Sequence, residues 1–436
     1  MVRAADANSG SASSNTTTAA DSAAARVLSG QAEIKAWQED LYRTLHQHPE
    51  LSDMEVNTAA AAGGALREAG YAVHDRIGTT GLVGILRNGD GPTVLMRADM
   101  DALPMKEQTG LAYASTDTET DSAGQEVPVA HSCGHDVHVA SLMGAARLLA
   151  GNRSAWHGTF VPLFQPAEEI GTGADEMVKG GLARRIPKPD VALAQHVLAY
   201  PAGMVGTHAG PFLSTAASMR VTVHGRGAHG SMPQLSIDPV VLASMIVVRL
   251  QAIVAREVAP DDFAVVTVGR VAAGTKSNII PDHAVIELNI RAYDDAMRTS
   301  LIDAIKRVVK GECAASGSPQ DPEFELYDAY PLTSNDPDVT AKVAAAFKRH
   351  FGDEAFEAAR QSASEDFSDI PNALGVPYTY WALGGIDRKT WRAAEAVGKI
   401  ADIPANHSPK FAPVIEPTLK TGTAAIVVAV LAWLAS

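Results

Sequence analysis

The sequence predicts an α/β protein: a domain built on a mixed, largely parallel sheet, interrupted by a smaller ferredoxin-like α+β domain placed as a lid. Three observations lead there. At 436 residues the chain is longer than one core usually supports. Strand-like and helix-like runs alternate between residues 31 and 213, the pattern of a parallel sheet with crossover helices. Near Ser214 the order becomes strand, helix, strand, strand, helix, strand, the split βαβ arrangement, and alternating segments resume after Tyr330-Pro331. The expected division is a disordered lead over 1–30, the first part of the larger domain over 31–213, the lid over 214–328 and the second part over 329–436.

Each element has its own signal. The lead, rich in Ala, Ser and Thr, lacks the apolar stretch of a secretory signal and reads as low-complexity disorder. Ile34, Trp37, Leu41 and Leu45 share one helical face, and Pro49 follows the stop. A second helix is expected over Val56–Ala69, ended by Gly70. Strands are expected at Gly81–Leu86 and at Thr93–Met96, the latter running into Arg97-Ala98-Asp99-Met100-Asp101. A helix carried by Val139, Leu142, Ala146 and Leu149 follows His135, with strands at Thr159–Phe164 and Val191–Gln195. The lid reads as strand Met219–Val223, helix Asp238–Arg256, strands Phe263–Val271 and Ala284–Arg291, helix Ala296–Lys310 and strand Glu323–Tyr327. The apolar run Ala424–Leu434 is too short to span a bilayer and is expected as a buried C-terminal helix.

Composition narrows the function classes. Fifty acidic against 36 basic residues leave a formal net charge of −14, which repels polyanions, so nucleic acid and acidic membrane surfaces are poor partners. Two cysteines in so long a chain make no disulfide framework, and the expected setting is the reducing cytoplasm.

The densest chemical signal is Ala130-His131-Ser132-Cys133-Gly134-His135-Asp136-Val137-His138. Three histidines, a cysteine and an aspartate in nine residues would all need partners if buried, whereas thiolate and imidazole are preferred ligands of zinc-like ions. Cys133 and His135, two apart across a glycine, can aim two donors from one loop. Next comes Gln165-Pro166-Ala167-Glu168-Glu169, an apolar strand running into adjacent carboxylates whose side chains diverge. One can hold a metal while the other takes a proton from water, the division of labour hydrolysis requires, although such pairs are commonly just solvated charge. His196 closes a buried strand, where histidines are more often structural, and His407 lies in the polar loop Asn406-His407-Ser408-Pro409. Together these regions offer Cys, His, Glu, His and His, enough for two ions sharing ligands. Asp99 and Asp101 are either a turn pair or carboxylates that orient a ligand imidazole. His229 sits in the glycine-rich turn Gly225–Ser231, which glycines alone could explain. Asn278 and Arg291 could clamp a carboxylate, although an arginine at a strand end is commonly a surface residue.

Six motifs in order then resemble the di-zinc peptidase and amidohydrolase family, in the branch of aminoacylases, hippurate hydrolases and auxin-conjugate hydrolases. They are Arg97–Pro104, His131–Asp136, Gln165–Glu169, Gly227–Gly230, Ser364–Phe367 and Asn406–Pro409, and the likeness runs from about Gln31 to the C-terminus. The resemblance implies two divalent ions held by Cys133, His135, Glu169, His196 and His407, zinc first, with manganese, cobalt and nickel also suited. It implies Glu168 as general base, Asp101 as support behind the ligands, and His229 reaching from the lid to the developing oxyanion. Asn278 and Arg291 would contact the substrate's free carboxylate. Asp99 stands where related peptidases have a ligand histidine, a departure that Cys133 and His135 would make good. Val137 replaces a frequent glycine. The implied activity is hydrolysis of N-acyl amino acids, with a metallo-exopeptidase or an inactive binding protein as alternatives. A homodimer through the lid is also implied, with His229 serving either its own site or the partner's.

Overall fold

A computed structural model describes residues 18–436. The chain opens with helices α1 (Ala19–Leu28), α2 (Gln31–Gln47) and α3 (Val56–Glu68), followed by strands β1 (Ala72–Ile77), β2 (Gly81–Asn88) and β3 (Thr93–Asp99). Then come α4 (His135–Gly151), β4 (Gly158–Gln165), β5 (Val191–Pro201) and β6 (Val205–Thr207). The inserted unit comprises β7 (Thr215–His224), α5 (Pro239–Glu257), β8 (Ala264–Ala273), β9 (His283–Ala292), α6 (Asp295–Ala315) and β10 (Glu323–Tyr330). Helix α7 (Pro337–Phe351), β11 (Ala355–Glu357), β12 (Tyr378–Ile386) and α8 (Ile415–Leu434) follow, with short helices, turns and two-stranded pieces between.

The large sheet runs β1-β2-β4-β3-β5-β12-β6-β11. Its centre, β4-β3-β5-β12, is parallel throughout. Antiparallel pairs occur toward the two sides. Every residue of β3 is buried, which is why its centre, Val94-Leu95-Met96, is an unbroken apolar run rather than an alternation. One face is covered by α4, α8 and α2, the other by a separate apolar cluster that includes Val83, Leu163 and Phe367. The crevice at the carboxyl ends of parallel strands is where open α/β sheets bind ligands, and β3 and β4 both end beside predicted site residues.

The inserted sheet is antiparallel in the order β8-β9-β7-β10. Met219, Val221, Val223, Ile286, Leu288 and Ile290 alternate inward and pack under α5 and α6. This is the βαββαβ order read from the sequence. The longer β10 carries the chain to Tyr330, three residues beyond the expected strand end.

Two expectations need correction. The lead was expected to be disordered through residue 30, yet α1 begins at Ala19; residues 1–17 lie outside the described residues. The Thr18 hydroxyl accepts the Asp21 amide and Asp21 accepts the Thr18 amide, a reciprocal cap. The alanine content that read as low complexity is strong helix former, and Ala23, Ala24 and Val27 are buried in the main core. The C-terminal helix is also longer than expected. At 20 residues α8 has the length and composition to cross a membrane, as does α5 with 19, but most of α8 is buried inside the fold.

Candidate active site

The site forms where the start of α4, the segments after β3 and β4, strand β5 and the 406–409 loop converge. Gly134 makes the approach possible: its φ is +90°, and a Cβ there would lie 2.4 Å from Val197 Cγ1. The turn therefore brings Cys133 and His135 against β5. Cys133 Sγ lies 3.4 Å from His196 Nε2. The carbonyl oxygen of Val197 accepts from His196 Nδ1 at 2.8 Å, so the Nε2 lone pair faces the sulfur. Burial, then the neighbouring His138, pushes His196 well below the usual imidazole range, keeping it in the neutral form that ligates metals.

His135 is held in the same manner. Its Nδ1 donates to the Asp101 backbone oxygen at 2.8 Å and lies 3.3 Å from Asp101 Oδ1. Its Nε2 is buried, has no hydrogen-bond partner among the described residues, and sits 3.6–3.8 Å from carboxylate oxygens of Asp99, Glu168 and Glu169. Glu169 Oε1 is likewise buried and unpartnered, while its Oε2 lies 3.2 Å from His407 Nε2. Donor atoms of Cys133, Glu169 and His407 all fall within 4.8 Å of one another, as do those of His135, Glu168 and Glu169. Buried, unpaired donors of this kind fit divalent cations. Burial and the Glu169 and Glu168 carboxylates push the Cys133 thiol up, a condition that a bound cation reverses. Burial lowers His135, but Asp99, Asp101 and Glu169 outweigh it and raise its pKa to about 10. The pocket thus favours positive charge.

Neighbouring groups explain which residues are not free to ligate. Asp99 accepts from Arg97 Nη1 at 2.6 Å and from His138 Nδ1 at 2.5 Å, and His138 Nε2 accepts the Val197 amide at 2.8 Å. Both Asp99 and His138 are therefore spent. Asp101 Oδ2 accepts from the Ser52 hydroxyl at 2.7 Å and the Glu169 amide at 2.9 Å, linking the His135 support to the glutamate pair. Glu168 faces the cleft beside Glu365 and Asp366. Burial, then Glu365, Glu169 and Asp366, raises its pKa well above the carboxylate range.

The cleft has a volume of about 510 Å³ and is lined by Cys133, Glu168, Glu169, His196 and His407 together with Arg291 and Tyr330 from the inserted unit. Arg291 donates to the Ser362 carbonyl at 2.8 Å and the Ser364 hydroxyl at 3.1 Å. His229 and Asn278 are not brought to this cleft. Both are exposed, on or beside the short pair Ala228–His229 and Ile279–Ile280, beyond the end of β7 opposite to Thr215.

Sequence reasoning gave no role to several residues. Arg97 is fully buried and also binds Glu365 at 2.6 Å and Gln165 at 2.9 Å. A lone cation inside the apolar run Thr93–Ala98 was the available signal. Asn406 Nδ2 donates to the carbonyls of Cys133 and Val197 at 2.8 and 2.9 Å, stitching the Cys133 turn to β5 beside His407. Tyr330, whose hydroxyl donates to the Glu169 carbonyl at 3.1 Å, had no local signal.

Such an arrangement, with soft and hard metal donors around one buried acidic cleft and an unspent carboxylate facing it, defines a metallohydrolase. The model described as peptidase family M20/M25/M40 matches residues 95–426, and the chain belongs to that family of hydrolases. It is 35% identical over 398 residues to thermostable carboxypeptidase 1 of Saccharolobus solfataricus, covering 90% of this chain and 94% of that protein. It is 34% identical over 374 residues to an N-acetyl-L-cysteine deacetylase of Bacillus subtilis, covering 84% of each. A crystal structure of a dinuclear metal-binding peptidase of the same family, also from B. subtilis, superposes with a TM-score of 0.72 at 28% identity, covering 92% of this chain and 98% of that one.

Proposed function

We propose that the protein hydrolyses N-acyl amino acids to a carboxylic acid and a free amino acid, using two divalent ions. The observation that carries this reading is one cleft lined by Cys133, Glu169, His196 and His407 with the unspent Glu168 and the Arg291 guanidinium, and with the buried His135 Nε2 3.7–3.8 Å from the two glutamates. Cys133, His135, Glu169, His196 and His407 would hold the ions. The Cys133 sulfur adjoins both His196 and the Glu169–His407 pair. The mixture of thiolate, imidazole and carboxylate suits zinc first, and manganese, cobalt or nickel as well. When bound, such ions supply Lewis-acid polarisation of the attacking water and of the scissile carbonyl. Glu168 takes the water's proton and delivers it to the leaving nitrogen, a shuttle to which a raised carboxylate pKa is suited. Asp101 fixes the His135 tautomer so that Nε2 points inward. Arg291 meets the substrate's free carboxylate.

The test is amino-acid release from N-acetyl, N-benzoyl and indole-acetyl amino acids and from dipeptides, after chelation and after return of zinc or manganese. Metal-restored cleavage of acyl amino acids supports the reading. Cleavage of dipeptides alone moves the protein to the exopeptidase alternative, which the carboxypeptidase relative favours as strongly as the deacetylase favours ours. Tight binding of amino acids or metal with no turnover would mark an inactive binding protein.

We also propose a homodimer through the inserted unit. Arg291 pairs with Ala216 near the start of β7, whereas His229 and Asn278 lie past its far end. Ten strand residues separate the two ends by about 30 Å. A second copy is therefore the simpler source of His229 for the cleft, with Asn278 beside it. The uncharged-but-for-Arg270 edge strand β8 and the exposed Val241, Met245 and Val248 of α5 offer the contact surface. Mixing Glu168→Gln and His229→Ala chains should regain activity that neither has alone; no recovery, with mixed dimers shown to form, rules out the partner's histidine.

A further inference from the structure

Glu55 lies behind the cleft, just before α3, and is fully buried. Its Oε1 accepts two backbone amides, Asp53 at 3.0 Å and Ala167 at 2.9 Å, and its Oε2 accepts the Thr80 hydroxyl at 2.6 Å. Both amide donors belong to non-glycine residues with positive φ, +67° at Asp53 and +50° at Ala167. Residues with a Cβ seldom adopt this conformation and keep it only where the surroundings impose it. One carboxylate oxygen thus fastens two left-handed turns together.

Each turn leads directly into the site. Ala167 precedes Glu168 and Glu169. Asp53 follows Ser52, whose hydroxyl donates to the Asp101 oxygen that also accepts the Glu169 amide. The segment after Ala167 has no slack: the Ala167 carbonyl accepts the Gly173 amide at 3.1 Å, and a Cβ at Gly173 would fall 1.6 Å from the Pro166 oxygen. The direction in which Glu168 leaves the chain is therefore set by the φ of Ala167, and the amide of Ala167 is held by Glu55.

We infer that Glu55 is a positioning residue for Glu168: through Oε1 it holds Ala167 in its left-handed conformation, and so aims the base at the scissile bond. This rests on the reading of Glu168 as the base. Small misplacements of a reacting group cost on the order of 10²-fold in rate. In the full metal-loaded chain, Glu55→Ala should lower kcat by about 10- to 100-fold while KM and bound metal stay within about twofold. Glu55→Gln should keep most of the rate, because its amide oxygen can accept the same two N–H groups. Adding Ala167→Gly to Glu55→Ala should recover part of the loss, since glycine takes positive φ without a Cβ penalty, and the same change in the native background should not raise kcat.

A lower melting temperature with unchanged kcat per metal-loaded chain, and no rescue by glycine, would overturn the inference. If Glu55→Ala does not fold, Glu55→Asp, one methylene too short to reach Ala167, carries the same comparison. If the native chain cleaves no amide at all, the proposed function fails separately. Hydrogen exchange at the Ala167 and Glu168 amides then decides: faster exchange in the variant supports the role of Glu55, and equal exchange refutes it.

Discussion

Glu168→Gln separates the base from the ligands, and the structure sets the expected size of each effect. The Glu168 side chain makes no hydrogen bond to the described residues, and its Oε2 is 3.8 Å from His135 Nε2. A neutral amide of the same shape therefore breaks no bond. It also removes a carboxyl whose ionisation burial, Glu365, Glu169 and Asp366 oppose, so folding stability should hold or rise. Turnover should behave differently. Loss of a positioned base costs roughly 10²–10⁴-fold in rate, equivalent to about 2.7–5.5 kcal/mol on the barrier. The assay is kcat on the best acyl amino acid, with bound metal per chain measured by elemental analysis and the melting temperature recorded on the same sample. Loss of one metal per chain would show that Glu168 is a ligand. A fall in kcat of less than about tenfold, with metal retained, would place the base elsewhere.

Two other outcomes follow from the same geometry. Arg291→Ala should raise KM by about 10- to 100-fold for substrates with a free α-carboxylate, as loss of a charge-assisted hydrogen bond implies, and far less for carboxamide analogues; equal losses on both would refute the clamp. His46 should make stability pH-dependent. Burial alone would lower its pKa, but Asp136 at 2.7 Å and Glu107 at 3.2 Å raise it to about 10. Its folded value exceeds the unfolded one near 6.5, so its contribution is complete below about pH 6.5 and is lost as pH climbs toward 10. The slope is at most about 1.4 kcal/mol per pH unit. Denaturant melts at pH 6, 8 and 10 should show it in the native chain and not in His46→Gln; parallel curves would refute the assignment.

The parts of this molecule that were legible in the sequence are those where one local pattern has one physical cause. The alternation of β7 and β9 marked half-buried strands, and the short β-branched and apolar run at the start of β3 marked a strand that the structure shows buried along its whole length. Cys133, His135, Glu169 and His407 were candidates because cysteines and histidines are scarce and crowd beside glycine and proline turns, and the structure brings their donor atoms together. What could not be read depends on contacts between distant segments. Glu55 and Ala167 are 112 residues apart, and Arg97 and Glu365 are 268 apart. Nothing local distinguishes Glu55 from any acidic residue preceding a helix. The disorder expected over residues 19–30 failed for the converse reason: alanine-rich sequence is helix former as well as low complexity, and only the apolar surface of the core decides which.

The fate of Asp99 shows why proximity alone does not define a metal site. Its carboxylate lies within 4.8 Å of donor atoms on His135, His138 and His196, and by that measure it belongs to a four-residue cluster. Yet each of its oxygens is already committed, one to Arg97 and the other to His138. Arg97 is in turn fixed by Glu365 and Gln165, so freeing Asp99 for a cation would leave a buried guanidinium short of its partner. His135 Nε2 and Glu169 Oε1, by contrast, are buried with no hydrogen-bond partner among the described residues. The buried Arg97 therefore withdraws the Asp99 carboxylate from the candidate metal site, and the proposed ligand set draws instead on the Cys133–His196 pair nearby.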